Sequence, residues 1–216
     1  MTDPVRNPEA TAPSPERAEP ASAGAASAHP APASPADAHP ADAVSPALAV
    51  SPALAAALAE ELMRRAGEDR ELMREAAAAP TPERRRRIAR CHRDNAEALE
   101  TIVRRHGWPD ASLVGPAAAT AALMILLHAP EPDFRLRCRD LIAQAAADGR
   151  CPAVHFAYIA DHCAVDQGEP QFYGTRMDPA TLRPYPVRHP RTLDERRHDV
   201  GLGPLEEQLR ALRLPG

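Results

Sequence analysis

The sequence predicts a mainly α-helical protein, a compact multi-helix bundle or array that follows a disordered tail. Three observations support this fold class. Apolar residues recur at three- and four-residue spacings through most of residues 51–216, which is the period of an amphipathic helix. Prolines preceded by Ser, Thr or Gly stand where several of these segments begin, and glycines stand where several end, as is typical of helix starts and stops.

The amino-terminal segment, residues 1–50, has a different composition. It consists mostly of Ala, Pro and Ser and, beyond the first residue, contains no Met, Ile or aromatic side chain. Such a segment buries too little apolar surface to offset the entropy lost on ordering. We therefore expect a disordered tail over residues 1–50 and a single helical domain over residues 51–216.

The charge balance argues against two classes of partner. The tail holds six acidic residues and two arginines, which account for the whole net charge of −4, so residues 51–216 are neutral. A neutral domain gives no electrostatic support for nucleic acid or an anionic membrane as the main partner. A small molecule or a peptide is the ligand class that we expect, and the sequence predicts no oligomeric state.

Cysteine spacing and hydropathy indicate a compartment. The four cysteines show no CxxC spacing, and the amino end lacks the basic and apolar regions of a secretory signal. The most apolar run, residues 117–127, is too short to span a bilayer. We expect a cytoplasmic protein with free thiols and no cofactor.

Seven helices are expected in the domain. Ser51-Pro52 and Thr81-Pro82 supply the N-cap and first-turn proline of the first two, and a capping box begins at Thr192. The third helix is apolar on nearly all sides, so we expect it to be central. The predicted helices comprise residues 52–78, 82–106, 116–128, about 133–148, 152–167, 193–200 and 204–213.

The segment after residue 168 does not follow the helical pattern. It reads PQFYGTRMDPATLRPYPV over residues 170–187, with alternating polar and apolar positions and a turn signal at MDPAT. We expect a short β-hairpin or an extended flap near residues 171–187, which carries Gln171 and Tyr173.

Several polar side chains share a helix face with apolar residues. Asp69 interrupts the stripe of the first helix, Asn95 and His106 lie on the stripe of the second with His92 at its edge, and Asp161 lies on the stripe of the fifth. Asp69 is either a solvated residue at the boundary of its stripe or a partly buried carboxylate with a raised pKa or a specific partner.

Three further residues have two interpretations each. His128 lies in the last turn of the third helix, where it either caps the helix or takes part in chemistry. Tyr158 lies three residues before Asp161, so a structural hydrogen bond is the alternative to a functional role. Trp108, the only tryptophan, lies in the HGWP loop, where it either seals a core or forms the wall of a pocket.

Longer stretches resemble a known family. The segments NAEALETIVRRHGWP, SLVG, LLHA, AYIAD and GEPQFYGT, followed by DERR and GL, resemble an uncharacterised, largely actinobacterial group, domain of unknown function 6624, over about residues 54–209. The resemblance implies no established activity. It matches the family pattern at Asp69, Asn95, His106, Gly107, Trp108, Pro109, Gly115, His128, Tyr158, Asp161, Gln171, Tyr173, Gly174 and Thr175.

The chain departs from the family pattern at four positions. The family tends to have an Asp-like residue at the position of His92 and Gln at the position of Leu127. It tends to have Arg at the position of His162 and Gln at the position of Arg176. If the family is catalytic, these departures imply an altered or inactive member.

The polar residues support a first hypothesis, general acid–base catalysis of a hydrolase type on a small molecule or peptide. His106 or His128 would be the base, and Asp161 or Asp69 would orient it, because a His–Asp pair fixes one tautomer and brings the imidazole pKa near neutrality. The residues that this hypothesis assigns to substrate binding are Asn95, Trp108, Tyr158, Gln171 and Tyr173.

Two alternatives stay open. A metal-dependent variant would use His and Asp as ligands, but the chain has no HExxH or CxxC motif, and the sequence predicts no metal site. The other alternative is a non-catalytic ligand- or protein-binding module whose polar cluster is structural. Solvent-exposed His106, His128 and Asp161 in one pocket would favour the enzyme, and the same groups buried and bonded to one another would favour the module.

Overall fold

The computed structural model describes residues 50–213. Within them lie eight α-helices: α1 (Pro52–Ala78), α2 (Pro82–His106), α3 (Ala111–Val114), α4 (Pro116–His128), α5 (Pro132–Ala147), α6 (Ala153–Asp166), α7 (Leu193–Asp199) and α8 (Leu205–Arg213). The prediction of a mainly α-helical protein is confirmed. The tail expected over residues 1–50 lies, apart from residue 50, outside the described residues.

The first two helices begin as their capping residues predict. The side chain of Ser51 accepts the backbone N–H of Leu54, and the side chain of Thr81 accepts that of Arg84. Each cap is followed by a proline at the first helical position, where a missing N–H costs nothing. α2 ends at Gly107, whose φ of +75° lies in the region that glycine adopts most readily.

Two local features differ from the sequence prediction. The one-turn helix α3 was not predicted, although Asp110 caps it by accepting the N–H groups of Ser112 and Leu113. The expected capping box at Thr192 is wrong, because a 3-10 turn precedes α7 and the Thr192 hydroxyl donates to the carbonyl of His189 instead. The oxygen of that hydroxyl accepts Nη1 of Arg196 at 2.7 Å in place of a backbone N–H of α7.

The core is built around α4. α1, α2 and α4 pack against one another, α5 and α6 form a second pair, and α4 also packs against α3, α5 and α6. Seven of the thirteen residues of α4 are buried, on several sides of the helix, so the expectation of a central third helix is confirmed. Its carboxyl end therefore lies among side chains of the neighbouring helices, which decides where His128 is placed.

The segment between α6 and α7 is an extended loop, and the hairpin alternative finds no support. Across the described residues no strand forms, and the loop holds only two isolated bridges, Gln171 with Val187 and Met177 with Pro184. Prolines explain this result, because each one removes a backbone donor that a β-ladder needs. Within the described part of the chain, no helix is both long and apolar enough to cross a membrane.

Candidate active site

Three helices bring one carboxylate and two imidazoles together. Asp69 lies in the second half of α1, His92 in the first half of α2, and His128 is the last residue of α4. α1 and α2 are joined by a short turn, so residues at similar distances from that turn lie side by side. α4 packs against both helices and delivers His128 to the same place.

The carboxylate of Asp69 bridges the two rings. Nε2 of His92 lies 2.9 Å from Oδ1 of Asp69, and Nδ1 of His128 lies 2.6 Å from Oδ2. The rings are stacked, with centroids 4.7 Å apart and planes inclined by 25°. Each carboxylate oxygen thus holds one imidazole. We call these three residues the Asp–His–His cluster.

Burial differs between the carboxylate and the imidazoles. The side chain of Asp69 is 5% exposed, whereas those of His92 and His128 are 19% and 29% exposed. Burial by itself raises the pKa of the Asp69 carboxyl, but hydrogen bonds and positive charge from His128 and His92 outweigh burial and hold that pKa well below its usual range. Of the alternatives for Asp69, the structure therefore shows a buried carboxylate with specific partners, and its lowered pKa keeps it ionised at neutral pH.

A second polar layer lies next to His128. Arg135 donates to Asp166 Oδ2 through Nε at 3.0 Å and Nη2 at 2.7 Å, and through Nη1 to the carbonyl of Ala129. Burial, and then the charge of Arg176, lowers the pKa of His162 to about 4, and the charge of His128 contributes to this shift. His162 is therefore neutral at neutral pH although it lies within the electrostatic reach of the cluster.

The role of Asp161 differs from that of Asp69. It is fully buried, and its oxygens accept the backbone N–H groups of Phe172 at 2.7 Å, Tyr173 at 3.0 Å and Thr175 at 2.8 Å, together with the Thr175 hydroxyl at 2.9 Å. Among the described residues, Tyr158 donates no hydrogen bond to it. Asp161 thus fixes the loop after α6 to the helical core.

Gln171 holds the same loop from within. Its side chain is fully buried. Its Nε2 donates to the carbonyls of Arg176 at 3.0 Å and Tyr185 at 2.9 Å, and its Oε1 accepts the N–H of Arg176 at 2.9 Å. A buried amide with all of these bonds made adds to the backbone hydrogen bonds that join the two sides of the loop.

A comparison with family models places the chain among known sequences. A family model described as a family of unknown function, DUF6624, matches residues 57–214. The chain belongs to DUF6624. The match contains all three residues of the Asp–His–His cluster. Searches of curated proteins and of solved structures found no match. The family thus supplies a relationship but no activity for this DUF6624 chain.

Two other predicted residues of this DUF6624 chain lie outside the cluster. Oδ1 of Asn95 accepts Nη1 of Arg65 at 3.1 Å, and its Nδ2 lies 3.4 Å from the sulfur of Cys91. His106 is half-buried at the end of α2, and its Cα lies about 21 Å along the helix axis from that of His92 at 1.5 Å per residue. His106 and Asp161 therefore do not meet Asp69 and His128 in one cluster.

The predicted aromatic residues have different surroundings. Trp108 is 5% exposed and belongs to the hydrophobic core, so it seals the core rather than standing at the mouth of the cluster. Within residues 50–213, its Nε1 is buried without a hydrogen-bond partner. Tyr158 is half-buried and packs against the same core. Tyr173 is half-buried and borders a cavity.

That cavity, of about 330 Å³, lies between α5, α6 and the loop after α6. The aromatic rings of Phe156, Phe172 and Tyr173 line it together with Arg139 and Arg188. The guanidinium of Arg188 lies 4.5 Å from the centroid of the Phe172 ring, which is cation–π geometry. We call this space the aromatic cavity.

Sequence reasoning placed His92 only at the edge of its stripe. The available signal was its register, because His92 lies four residues before Ala96 and seven before Leu99, and both of these are buried. Positions four and seven residues apart share one helix face. The register therefore indicated an inward position for His92, although it did not indicate a partner.

Proposed function

We propose that this DUF6624 chain is a hydrolase-type enzyme that performs general acid–base catalysis at the Asp–His–His cluster on a small molecule or a peptide. The observation that carries the proposal is the buried, ionised Asp69, which holds two imidazoles that reach solvent. Burying an ionised carboxylate without hydrogen-bond or ion-pair partners costs free energy. Here its negative charge orients two groups that are suited to proton transfer near neutral pH.

The hydrogen bonds assign the proton on each ring. Nδ1 of His128 faces Asp69 and donates to it, so Nε2 is the lone-pair nitrogen of that ring. In His92 the roles are reversed, with Nε2 donating and Nδ1 carrying the lone pair. When either lone pair accepts a proton from water or substrate, Asp69 stabilises the imidazolium that results.

Because the two rings are stacked, the proposal gives them different roles as acid and base. With centroids 4.7 Å apart, two imidazoliums would repel each other, so the proposal gives the extra proton to one ring and leaves the other neutral. In the proposed mechanism one ring accepts a proton from the attacking water while the other donates one to the leaving group. Asp69 orients both rings.

Other predicted residues take positioning roles in this proposal. Asp161 and Gln171 hold the loop that carries Tyr173, and Tyr173 borders the aromatic cavity. His106 has no part in the proposed proton transfer, and this makes it a useful control for changes to the other histidines.

The test is a hydrolysis screen with the full chain over esters, amides, phosphate esters and short peptides. For any substrate that is turned over, His128→Gln and His92→Gln should each lower kcat by about 10²- to 10⁴-fold, the usual contribution of a positioned acid or base. His106→Gln should retain activity. Equal activity of the wild type and His128→Gln, with both folded by circular dichroism, would contradict the proposal.

The aromatic cavity favours a second candidate function, that of a non-catalytic ligand-binding module. Its aromatic walls suit a ligand with an apolar body, while Asp140 and Glu169 also line it and pair with Arg139 and Arg188, so the lining carries no excess of positive charge. A thermal-shift screen of uncharged aromatic compounds should then give hits that Phe172→Ala abolishes and His128→Gln leaves unchanged. Hits that depend on His128 and come with turnover would favour the enzyme instead.

A further inference from the structure

We infer that Asp69, His92 and His128 together bind one divalent transition-metal ion of the Zn²⁺ type. The inference names a cofactor for the proposed site and rests on that proposed function for its role. Three helices supply one ligand atom each, namely a carboxylate oxygen of Asp69, Nε2 of His92 and Nδ1 of His128. These three atoms lie within 4.8 Å of one another.

The kinds of donor atom select the class of metal. Imidazole nitrogen is a preferred ligand of Zn²⁺, Co²⁺ and Ni²⁺, whereas Mg²⁺ and Ca²⁺ take mainly oxygen ligands. Two nitrogens and one oxygen therefore suit a Zn²⁺-type ion and disfavour the two hard cations. Facing helices of a bundle are a common source of such ligands.

The present distances are those of hydrogen bonds, and a metal requires a small adjustment. Zn–N and Zn–O bonds of about 2.0–2.2 Å in a tetrahedron place neighbouring ligand atoms about 3.3 Å apart. The two hydrogen-bonded pairs here, 2.9 and 2.6 Å apart, end on different oxygens of Asp69, so the oxygen that binds the metal must separate from its present imidazole partner by about 0.5 Å. His92 and His128 are partly exposed, which leaves their rings room to rotate by that amount.

Metal binding moves a proton on each ring. In the hydrogen-bonded cluster the nitrogen that faces Asp69 carries the proton, and a ligating nitrogen cannot. Each neutral imidazole therefore shifts its proton to the opposite nitrogen, with no change in charge, and the metal replaces the two hydrogen bonds to Asp69. Tautomer exchange is consequently a second observable besides binding.

The charges around the cluster favour a cation. Asp69 is ionised, and the carboxyl end of α4, where free carbonyls give a partial negative charge, lies at His128. The nearby guanidinium of Arg135 is paired with Asp166, which reduces its repulsion of a metal. With both imidazoles neutral, a divalent ion would change the net charge of the cluster from −1 to +1.

Three protein ligands leave a coordination position open. Structural Zn²⁺ sites are usually closed by four protein ligands, whereas catalytic sites have three and leave a position for water, whose pKa falls to about 7. The solvent-reaching side of the two rings is where that position would lie. The metal would thus activate the attacking water in place of an imidazole base, because both rings then direct their lone pairs to the metal.

The experiment measures metal binding without any substrate. The reduced, chelator-treated full chain is titrated with Zn²⁺ by calorimetry and with Co²⁺ by visible absorption. One equivalent should bind, and Asp69→Asn, His92→Gln and His128→Gln should each weaken binding at least about 100-fold. His106→Gln is the matched control, since it removes an imidazole from the same helix as His92 and should leave binding unchanged.

Thiols provide the main competing explanation, because all four cysteines are free. Co²⁺ bound by thiolate gives an intense near-ultraviolet charge-transfer band, which ligation by nitrogen and oxygen does not. The band should be absent. Its presence, or binding that survives both His→Gln changes, would overturn the inference. If Asp69→Asn fails to fold, the two His→Gln variants carry the test, since their rings are partly exposed.

The outcomes separate this inference from the proposed function. If the cluster binds one equivalent of metal and no substrate is turned over, the hydrolase proposal is contradicted and the metal site is supported. If turnover needs His128 but is unaffected by chelation and by added Zn²⁺, the metal inference is contradicted and acid–base catalysis is supported.

Discussion

Oδ2 of Asp69 and Nδ1 of His128 lie 2.6 Å apart, and this contact joins the second half of α1 to the carboxyl end of α4. The second oxygen of Asp69 holds His92 at 2.9 Å. One carboxylate therefore ties together the three helices of the main bundle. The same contact is the basis of the proposed chemistry, so stability and function are coupled at Asp69.

Asp69→Ala should destabilise the domain. The change leaves two imidazoles without their acceptor, and lost hydrogen bonds to a buried charged group cost about 1–3 kcal/mol in the free energy of unfolding. Urea unfolding followed by circular dichroism measures this effect. Asp140→Ala is the control, because its carboxylate is 70% exposed in a surface ion pair and should contribute less than about 1 kcal/mol. Equal effects of the two changes would contradict a special role for Asp69.

Asp161→Asn should release the loop after α6 without unfolding the bundle. An amide nitrogen in place of Oδ2 would meet the N–H and the hydroxyl of Thr175, which are both donors. Hydrogen exchange should then speed up at Phe172, Tyr173 and Thr175.

The matched control for Asp161→Asn is Asp178→Asn, farther along the same loop. Asp178 accepts the N–H groups of Ala180 at 2.7 Å and Thr181 at 3.2 Å, both through Oδ1, an oxygen that asparagine also provides. This change should leave exchange at Phe172 and Tyr173 unaltered. Unchanged exchange in Asp161→Asn would show that the loop is held by other contacts.

Two buried histidines should make the domain less stable in mild acid. Burial, and then the charge of Arg176, lowers the pKa of His162 from 6.5 to about 4, and burial lowers the pKa of His155. Below pH 6.5 the unfolded chain therefore binds more protons than the folded one. The loss of stability due to His162 is absent above about pH 6.5 and grows as the pH falls towards about 4, and His155 acts in the same direction.

Unfolding free energies measured between pH 7 and pH 4 test this prediction. In His155→Gln the free energy of unfolding should fall less steeply as the pH is lowered, since glutamine takes up no proton in the folded or the unfolded state. The lowered pKa of Asp69 acts in a different range, because its contribution is present above its ordinary value of 3.8 and is lost only below it. A pH profile that His155→Gln leaves unchanged would assign the acid sensitivity to other groups.

The thiols should differ in their rates of alkylation. Burial raises the pKa of Cys138 to about 12 and that of Cys151 to about 11, and both side chains are buried. Cys91 is only half-buried, so iodoacetamide should modify it first in the folded protein. Peptide mass spectrometry gives the order, and all thiols should react at similar rates in urea. Fast modification of Cys138 would contradict the packing of α5 against α6.

Helical periodicity predicted much of the fold because it depends on neighbours within a few residues. It placed α1, α2 and α4 within one or two residues of their observed ends, and it singled out Asp69 as a polar side chain on an apolar face. The partners of Asp69 come from residues 23 and 59 positions away. Such partners depend on how helices pack, which the period does not specify.

The role of Asp161 shows a different limit of sequence reasoning. Three of its four donor groups are backbone N–H groups of residues that follow it in the chain. Every residue except proline has such a group, so no residue pattern marks them. The segment PQFYGT was recognised as unusual, but its attachment to Asp161 depends on the conformation of the loop.

The tautomeric state of His92 and His128 tests the Asp–His–His cluster most directly. Long-range ¹H–¹⁵N correlation on the metal-free chain measures it. The structure predicts a proton on Nδ1 of His128 and on Nε2 of His92, and addition of one equivalent of Zn²⁺ should move both protons to the opposite nitrogens. His128 protonated on Nε2 in the metal-free chain, with no change on adding Zn²⁺, would contradict both the hydrogen bond to Asp69 and the site proposed around it.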